Sequence, residues 1–250
     1  MAGDGGAEEL ARALAHDEIV PYLQPLVELR TERTAGFEVL ARWLHPTRDV
    51  VQPLEFIPIA ERSGLIGALN ERLLHRACAA AADWPADIRL AVNVSPSQLR
   101  DPTLPERLQA IAEGARFPLR RLSVEITEKT VIEDFDVARR IFGILKSLGV
   151  QIALDDFGIG YSGLRRLQLL PFDALKIDAA FVESIATQQE SRTIVAAIVN
   201  LCHSLGLTAV AEGIETRDQA DMLRQLDCDH GQGWLFGRPM PLAEVPSSLR

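Results

Sequence analysis

Cysteine is scarce in this chain, and long apolar runs are missing. Cys78, Cys202 and Cys228 are odd in number and far apart, so they give neither a disulfide framework nor the spacing of a zinc site. We therefore expect buried thiols. No run of about 18 apolar residues occurs, which predicts no membrane span within this chain. The first ten residues contain no basic segment leading into an apolar one, so we expect no secretory signal and a cytoplasmic location.

Positive charge is also in deficit. The chain has 26 Lys and Arg against 35 Asp and Glu, a formal net charge of −9. This balance argues against DNA or other nucleic acid as a partner, and an anionic ligand would need help from cations. The five histidines follow no metal-ligand spacing.

What the chain does have is enough apolar sequence for a sizeable core. With 250 residues and 47% hydrophobic content it can fold as one large α/β domain or as two smaller ones. The glycine-rich residues 2–6 predict a flexible tail over residues 1–6. No further low-complexity segment or charge block follows, so we expect residues 7–250 to form one domain.

Short β-type runs alternate with longer helical patterns along this domain. Glu18–Glu28 and Ala35–Trp43 flank a turn-like segment and predict a hairpin. The strands predicted after it are Ile88–Val94, Leu122–Ile126, Val150–Leu154, Ala174–Ile177, Leu207–Ala211 and a short one near His230–Gly233, with helices near 53–83, 103–114, 134–148, 163–169, 190–205 and 216–226. Seven or eight strands with helical crossovers in this length predict a (β/α)₈ barrel. A doubly wound open sheet remains the alternative, because periodicity does not show closure.

Polar side chains stand at the ends of nearly all these strands. The set comprises Asn93, Glu125, Asp155, Asp156 and Glu212, with Lys176 inside one strand and Gln232 in the last. The carboxyl ends of parallel strands meet at one edge, where barrel enzymes carry their sites. A single polar residue there is readily explained by solvation, but the repetition predicts a functional site.

The aspartate pair follows the apolar run Ile152–Leu154. Successive strand residues point to opposite faces, so both carboxylates serve one site only where the backbone turns. Gly158 and Gly160 would allow unusual dihedral angles there. A solvated turn is the alternative, because Asp and Gly are common in turns.

A period of two places Glu38, Leu40 and Arg42 on one face of their strand. The same alternation directs Gln24 to the side shared by Tyr22 and Leu26 in the preceding strand. The carboxylate and guanidinium on one face fit a site, and they also fit an ordinary structural ion pair.

Several carboxylates on one rim repel one another. At about 4 Å and an effective dielectric constant near 20, each like-charge pair costs on the order of 4 kcal/mol. Oxygen ligands without histidine or cysteine suit Mg²⁺ or Mn²⁺, and their number suggests two ions bridged by a residue such as Asp155. Two such ions are typical of phosphoester cleavage. Lys176 would orient the attacking water or offset the carboxylates, and a buried structural ion pair is the alternative.

These residues lie in segments that resemble the EAL domain, a bacterial phosphodiesterase family that opens cyclic di-GMP. Val39 stands where the alanine of the family's name would be. The matching segments, in chain order, are Glu38-Val39-Leu40-Ala41-Arg42, Asn93-Val94-Ser95-Pro96, Glu125-Ile126-Thr127-Glu128, Asp155-Asp156-Phe157-Gly158, Leu175-Lys176-Ile177-Asp178, Ala211-Glu212-Gly213-Ile214-Glu215 and Gln232 to Pro239.

The resemblance implies a modified TIM barrel whose first strand is antiparallel to the rest. It also implies hydrolysis of cyclic di-GMP to linear pGpG with two Mg²⁺ or Mn²⁺ ions. Carried over residue by residue, the metal ligands would be Glu38, Asn93, Glu125, Asp155 and Asp156. Lys176 and Glu212 would position and deprotonate the water. The residues that would contact substrate or order the site are Gln24, Leu40, Arg42, Glu215 and Gln232.

The resemblance further implies a homodimer and, in a longer parent protein, sensory or GGDEF domains upstream. Glu128 would anchor the loop Asp156–Ser162, in which Ile159 and the following Gly163 depart from the usual residues. A catalytically silent cyclic di-GMP receptor or interaction domain is the main alternative function. A barrel enzyme that stabilises an enolate with a metal is a third hypothesis, from fold analogy alone.

Overall fold

Eight strands of the ten-stranded sheet close into a barrel. The computed structural model describes residues 4–133, 135–157 and 168–245. The strands are β1 (Ile19–Glu28), β2 (Thr34–His45), β3 (Asp49–Val51), β4 (Arg89–Asn93), β5 (Leu122–Thr127), β6 (Gln151–Phe157), β7 (Ala174–Ile177), β8 (Thr208–Ala211), β9 (His230–Gln232) and β10 (Met240–Pro241). β3 and β10 pair at the rim, with β2 and β1 respectively.

Helices surround the barrel. They are α1 (Asp4–Ala15), α2 (Pro53–Arg62), α3 (Ile66–Ala81), α4 (Pro96–Leu99), α5 (Leu104–Gly114), α6 (Glu128–Glu133), α7 (Phe135–Ser147), α8 (Ala179–Glu183), α9 (Gln189–Leu205) and α10 (Arg217–Gln225). Short 3₁₀ turns lie at Leu119–Arg121 and Leu242–Glu244. Within the described ranges, no helix has both the length and the apolar character needed to cross a membrane.

Closure depends on the first strand. β1 is antiparallel to both of its barrel neighbours, with Gln24 opposite Glu38 of β2 and Leu26 opposite Gln232 of β9. β2, β4, β5, β6, β7, β8 and β9 follow one another in parallel. The modified TIM barrel with an antiparallel first strand is therefore confirmed, and the open sheet is wrong.

The period of two in β2 sorts its side chains as predicted. Phe37, Val39 and Trp43 are almost completely buried in the apolar core between the barrel strands and the surrounding helices. Glu38, on the opposite face, is also buried, but its partners are polar groups from across the barrel. Glu38 thus lies in the barrel interior.

The N-terminal segment differs in part from the flexible tail expected over residues 1–6. Helix α1 begins at Asp4 and includes Gly5 and Gly6. Leu10 and Ala13 of this helix are completely buried, and that tertiary packing stabilises a helix that two glycines disfavour. The helix expected near 163–169 falls mostly outside the described residues, as do Ile159 and Gly163.

Candidate active site

A buried lysine lies at the centre of the barrel's acidic end. Lys176 of β7 is only 2% exposed. Its Nζ lies 2.7 Å from Glu125 Oε2 and 2.7 Å from Glu212 Oε1. Asp155 Oδ1 at 3.6 Å and Glu38 Oε2 at 3.9 Å complete a shell of four carboxylates from four further strands or strand ends. The structure therefore brings these five predicted residues together.

The carboxylates decide the charge of this lysine. Burial alone favours neutral Lys176, but Glu125, Glu38, Glu212 and Asp155 outweigh it and raise the pKa of the ammonium well above its usual range. Burial raises the pKa of Glu125, against the opposing effect of the lysine. The centre of the site is accordingly a protonated amine held by carboxylates. Lys176 therefore offsets part of their negative charge.

Burial also brings the pKa of one carboxyl close to neutral pH. It raises the pKa of Glu212 to about 7; Lys176 opposes the shift, and the charges of Asp155 and Glu38 add to it. Glu212 follows directly after β8, and its side chain is 20% exposed, more than those of Glu125 and Lys176. A carboxyl whose pKa lies near 7 is suited to accept a proton at neutral pH.

A chain of amide hydrogen bonds fixes Glu38. Asn93 Nδ2 donates to Glu38 Oε1 at 2.7 Å, and Gln232 Nε2 donates to Glu38 Oε2 at 2.6 Å. The same Gln232 nitrogen lies 3.1 Å from Gln24 Oε1, while Gln24 Nε2 donates to the Gly237 carbonyl at 3.3 Å. Both carboxylate oxygens are thus held by amide donors, and among the described residues the Oδ1 of Asn93 accepts no hydrogen bond.

The two aspartates reach one site through an irregularity in β6. Asp156 has φ of +57°, in the left-handed region that Asp tolerates better than most residues. The pairing of β6 with β7 also shifts register between Leu154 and Phe157. The backbone turn that we expected at Gly158 and Gly160 is therefore already present at Asp156, one residue after Asp155; the two glycines lie outside the described residues.

Three carboxylates form a group with the spacing of metal ligands. One oxygen from each of Asp155, Asp156 and Glu212 lies within 4.8 Å of the others. Burial raises the pKa of Asp156; the charges of Asp155 and Asp178 add to the shift, and Lys176 opposes it. A set of hard oxygen donors with this spacing fits a divalent cation such as Mg²⁺ or Mn²⁺. Glu38 and Glu125 lie outside this three-residue group.

The remaining predicted residues occupy the rim. Arg42 is half-buried, and burial lowers the pKa of its guanidinium. Leu40 lines a cavity of about 620 Å³, together with Asn93, Asp155 and Asp156. Glu215 is exposed, and its carboxylate makes no hydrogen bond with the described residues, although its backbone N–H donates to Gln219 Oε1 at 2.8 Å.

Glu128 begins α6, and both oxygens of its carboxylate are buried without a hydrogen-bond partner in the described part of the chain. The loop that it is expected to anchor lies almost entirely outside that part. Its role therefore stays a prediction.

Two further residues shape the site and were not found from the sequence. Asn70 of α3 donates from Nδ2 to the Asn93 carbonyl at 3.0 Å, which fixes the end of β4. The ring of Tyr22 lies beneath the Arg42 guanidinium. Strand alternation put Tyr22 on the same face as Gln24, and this was the one sequence feature that could have indicated Tyr22 as a site residue. Nothing in the sequence points to Asn70.

A closed β/α barrel with a lysine and carboxylates at the carboxyl ends of its parallel strands is the arrangement of a TIM-barrel site. The model of the family described as EAL domain matches residues 7–239, and the chain belongs to that family.

Known relatives cover the whole barrel. The chain is 37% identical over 247 residues to the cyclic di-GMP phosphodiesterase NbdA of Pseudomonas aeruginosa, covering 97% of this chain and 32% of NbdA. It is 44% identical over 236 residues to a signaling protein of Caulobacter vibrioides, covering 94% of this chain and 29% of that protein. The chain thus spans about a third of the length of these relatives.

Solved structures agree with the fold. The PaMucR phosphodiesterase in its c-di-GMP complex superposes with a TM-score of 0.92 at 37% identity, covering 96% of this chain and 99% of that one. The FimX EAL domain of Pseudomonas aeruginosa bound to c-di-GMP gives 0.87 at 25% identity, covering 94% and 96%. The likeness therefore extends over nearly the whole of these domains.

Proposed function

We propose that this domain hydrolyses one phosphodiester bond of cyclic di-GMP to give linear pGpG, with divalent metal ions. The observation that carries the proposal is the group formed by Asp155, Asp156 and Glu212 beside the protonated Lys176, in a chain of the EAL family. The relative and the structure named for cyclic di-GMP phosphodiesterase activity support the choice of substrate.

The donor set at the carboxyl end of the barrel is suited to two Mg²⁺ or Mn²⁺ ions. The residues proposed to hold them are Glu38, Asn93, Glu125, Asp155 and Asp156. When bound, such ions stabilise the negative charge on the attacking and leaving oxygens of phosphodiester cleavage. Asp155 would be one of the residues that hold the ions, because its carboxylate belongs to the metal-spaced group.

Glu212 is the proposed proton acceptor. The water oxygen forms a bond to phosphorus, its proton passes to Glu212, and the bond from phosphorus to the 3′ oxygen breaks. The 3′ oxygen takes up a proton from solvent water and leaves as a hydroxyl, and Glu212 releases its proton to solvent. Lys176 orients Glu212 through the 2.7 Å contact and, being firmly protonated, is suited to positioning rather than to accepting the proton.

Substrate binding is assigned to the rim and the cavity. Arg42 would bind a phosphate oxygen, since a guanidinium offers paired N–H donors to phosphate. Leu40 and the apolar Leu54 and Ile57 line the 620 Å³ cavity beside the aspartates, which has room for a nucleotide base. Gln24, Gln232 and Glu215 would order the site or contact substrate. A homodimer, upstream sensory or GGDEF domains in a longer parent, and a cytoplasmic location complete the proposal.

One assay tests this function. The protein is incubated with cyclic di-GMP in Mg²⁺, in Mn²⁺ and in EDTA, and the nucleotides are separated. We expect pGpG in either metal and none in EDTA. Glu38→Ala should lower the rate at least about 100-fold, because it removes a proposed ligand. Glu113→Ala, at an exposed carboxylate of α5, is the matched control and should keep the parent rate.

Three other outcomes would each reject part of the proposal. Tight binding of cyclic di-GMP with no product in either metal would replace the enzyme by the silent receptor. Parent-level turnover by Glu38→Ala would remove the proposed metal site. Activity on a carbonyl acid rather than a phosphodiester would revive the enolate hypothesis.

A further inference from the structure

The guanidinium of Arg42 lies over an aromatic ring instead of beside a carboxylate. Its Cζ is 5.7 Å from the centroid of the Tyr22 ring, within the range of a cation–π contact. Its Nη1 donates to the Ala41 carbonyl at 2.8 Å. Across the described ranges Arg42 forms no ion pair, although five carboxylates occupy the same end of the barrel.

The strand register explains why these two side chains meet. In the antiparallel pair of β1 and β2, Tyr22 is opposite Leu40 and Val20 is opposite Arg42. Tyr22 and Arg42 are therefore diagonal neighbours on the face that points into the barrel, a separation that aromatic and long side chains bridge. Tyr22 also pairs with Pro241 of β10, so its backbone is held from both sides.

A ring holds a guanidinium differently from a carboxylate. A carboxylate would take two in-plane N–H groups in a bidentate pair, and these are the donors that a phosphate needs. A ring attracts a guanidinium through its π face and takes no N–H group in a bidentate pair, so here the N–H donors that do not bind the Ala41 carbonyl stay free of the ring. It also adds no negative charge to an end of the barrel that an anionic substrate must approach.

We infer that Tyr22 is a positioning residue, which holds Arg42 so that its free N–H groups face a phosphate oxygen of the substrate. The inference rests on the proposed function, because it assigns the phosphate contact to Arg42. The ring carries the effect, since the Tyr22 hydroxyl makes no hydrogen bond within the described part of the chain. Tyr22→Phe should therefore preserve the role that Tyr22→Leu removes.

The test is a double-mutant cycle of Tyr22→Leu and Arg42→Ala, with Tyr22→Phe as the matched control. KM and kcat for cyclic di-GMP are measured in Mg²⁺, and Kd is measured in EDTA, where no turnover is expected. Tyr22→Leu should raise KM and Kd about 2- to 5-fold with kcat within about 2-fold of the parent. In the Arg42→Ala background the same substitution should change nothing further. Thermal midpoints identify any variant that is merely unfolded.

Equal losses from Tyr22→Leu in both backgrounds would overturn the inference, because the effect would not pass through Arg42. Equal losses from Tyr22→Phe and Tyr22→Leu would overturn it too, since the hydroxyl would then be the active part. Binding without turnover by the parent protein leaves the Kd cycle intact and rejects only the phosphodiesterase. A parent that does not bind cyclic di-GMP rejects both.

Discussion

Lys176 shows how a single buried residue stabilises a group of carboxylates that would otherwise repel one another. Its ammonium is taken out of water almost completely, a cost that only close carboxylates offset. Glu125 and Glu212 contact it directly, while Asp155 and Glu38 lie within 4 Å. One positive charge nevertheless cannot balance four carboxylates and Asp156. The excess negative charge is a property of the site that favours cation binding.

The raised pKa of Glu212 predicts a pH-dependent stability of the metal-free protein. Between the ordinary value of 4.5 and about 7, the folded carboxyl keeps a proton that the unfolded chain has lost. Raising the pH through that window therefore removes stability. Glu212→Gln cannot ionise, so in EDTA its stability relative to the parent should rise by on the order of 2 kcal/mol between pH 5 and pH 7.5.

Urea unfolding of both proteins at several pH values measures this difference. Glu113→Gln, at an exposed helix position, corrects for the general effect of losing a charge. A difference between Glu212→Gln and the parent that is flat with pH would show that Glu212 titrates normally.

At the residue scale, alternation in a strand was a sufficient guide for many side chains. It grouped Glu38 with Arg42 on one face of β2 and Gln24 with Tyr22 on one face of β1, and the structure joins Glu38 to Gln24 through Gln232. It could not foresee the left-handed Asp156, because φ at a strand end depends on the following pairing with β7. Asn70 was missed for a similar reason: its contact with Asn93 crosses from a helix to a strand 23 residues away.

At the scale of elements, the segment after β8 is set by a glycine. Gly213 has φ of +68°, and a Cβ there would lie 2.5 Å from Ala179 Cβ of α8. The backbone that carries Glu212 therefore passes too close to α8 for any side chain. Glycine at this position is required both by the dihedral angle and by the close approach.

Gly213→Ala should accordingly destabilise the protein by about 2 kcal/mol or more, through backbone strain and overpacking. Gly143→Ala is the matched control, because Gly143 lies inside α7 without a positive φ, and a Cβ added there would have open space for 4 Å around it. That substitution should stabilise by about 0.5–1 kcal/mol through helix propensity. Chemical denaturation of both variants checks the opposite signs. If both substitutions shifted stability in the same direction, the steric account of Gly213 would fail.

The helix after this segment begins with a capping box that also fixes the chain near Glu215. Thr216 accepts a hydrogen bond from the Gln219 N–H, and the Gln219 side chain accepts from the Thr216 and Glu215 N–H groups. Thr216→Ala should cost about 1 kcal/mol, while Thr216→Ser should keep most of that stability. Thermal unfolding distinguishes the two, and equal midpoints for the Ala and Ser variants would contradict the role of the hydroxyl.

The positions of most elements were predictable because each has its own apolar period. The exception is α1, where Gly5 and Gly6 signalled a tail while the packing of Leu10 and Ala13 forms a helix. The helix propensity of a short segment carries no information about the distant residues against which its buried side chains pack. Other short elements were missed as well, since two to six residues are too few to show a period; they are β3, β10, α4, α6 and α8.

At the scale of the whole molecule, closure was the property that periodicity left open. It depends on β1, whose antiparallel pairing with both β2 and β9 joins the two ends of the sheet. The ordered motifs from Glu38 to Gln232 resemble those of the EAL family, and that resemblance predicted the closed barrel that the pattern of elements left open. The homodimer that it also implies stays a prediction, which light scattering of the purified protein with and without substrate would test.

Metal binding should couple the site to the stability of the entire barrel. The proposed ligands come from four strands, β2, β4, β5 and β6, so ions held by them would join segments that are far apart in sequence. An ion that binds only the folded state stabilises it by RT ln(1 + [L]/Kd), about 2.7 kcal/mol at 100 times Kd. The thermal midpoint should therefore rise steadily with Mn²⁺ or Mg²⁺ and return to its starting value in EDTA. Asp155→Asn should lose the rise, and Glu113→Gln should keep it. A midpoint that does not respond to either metal would remove the support for a cation at this site.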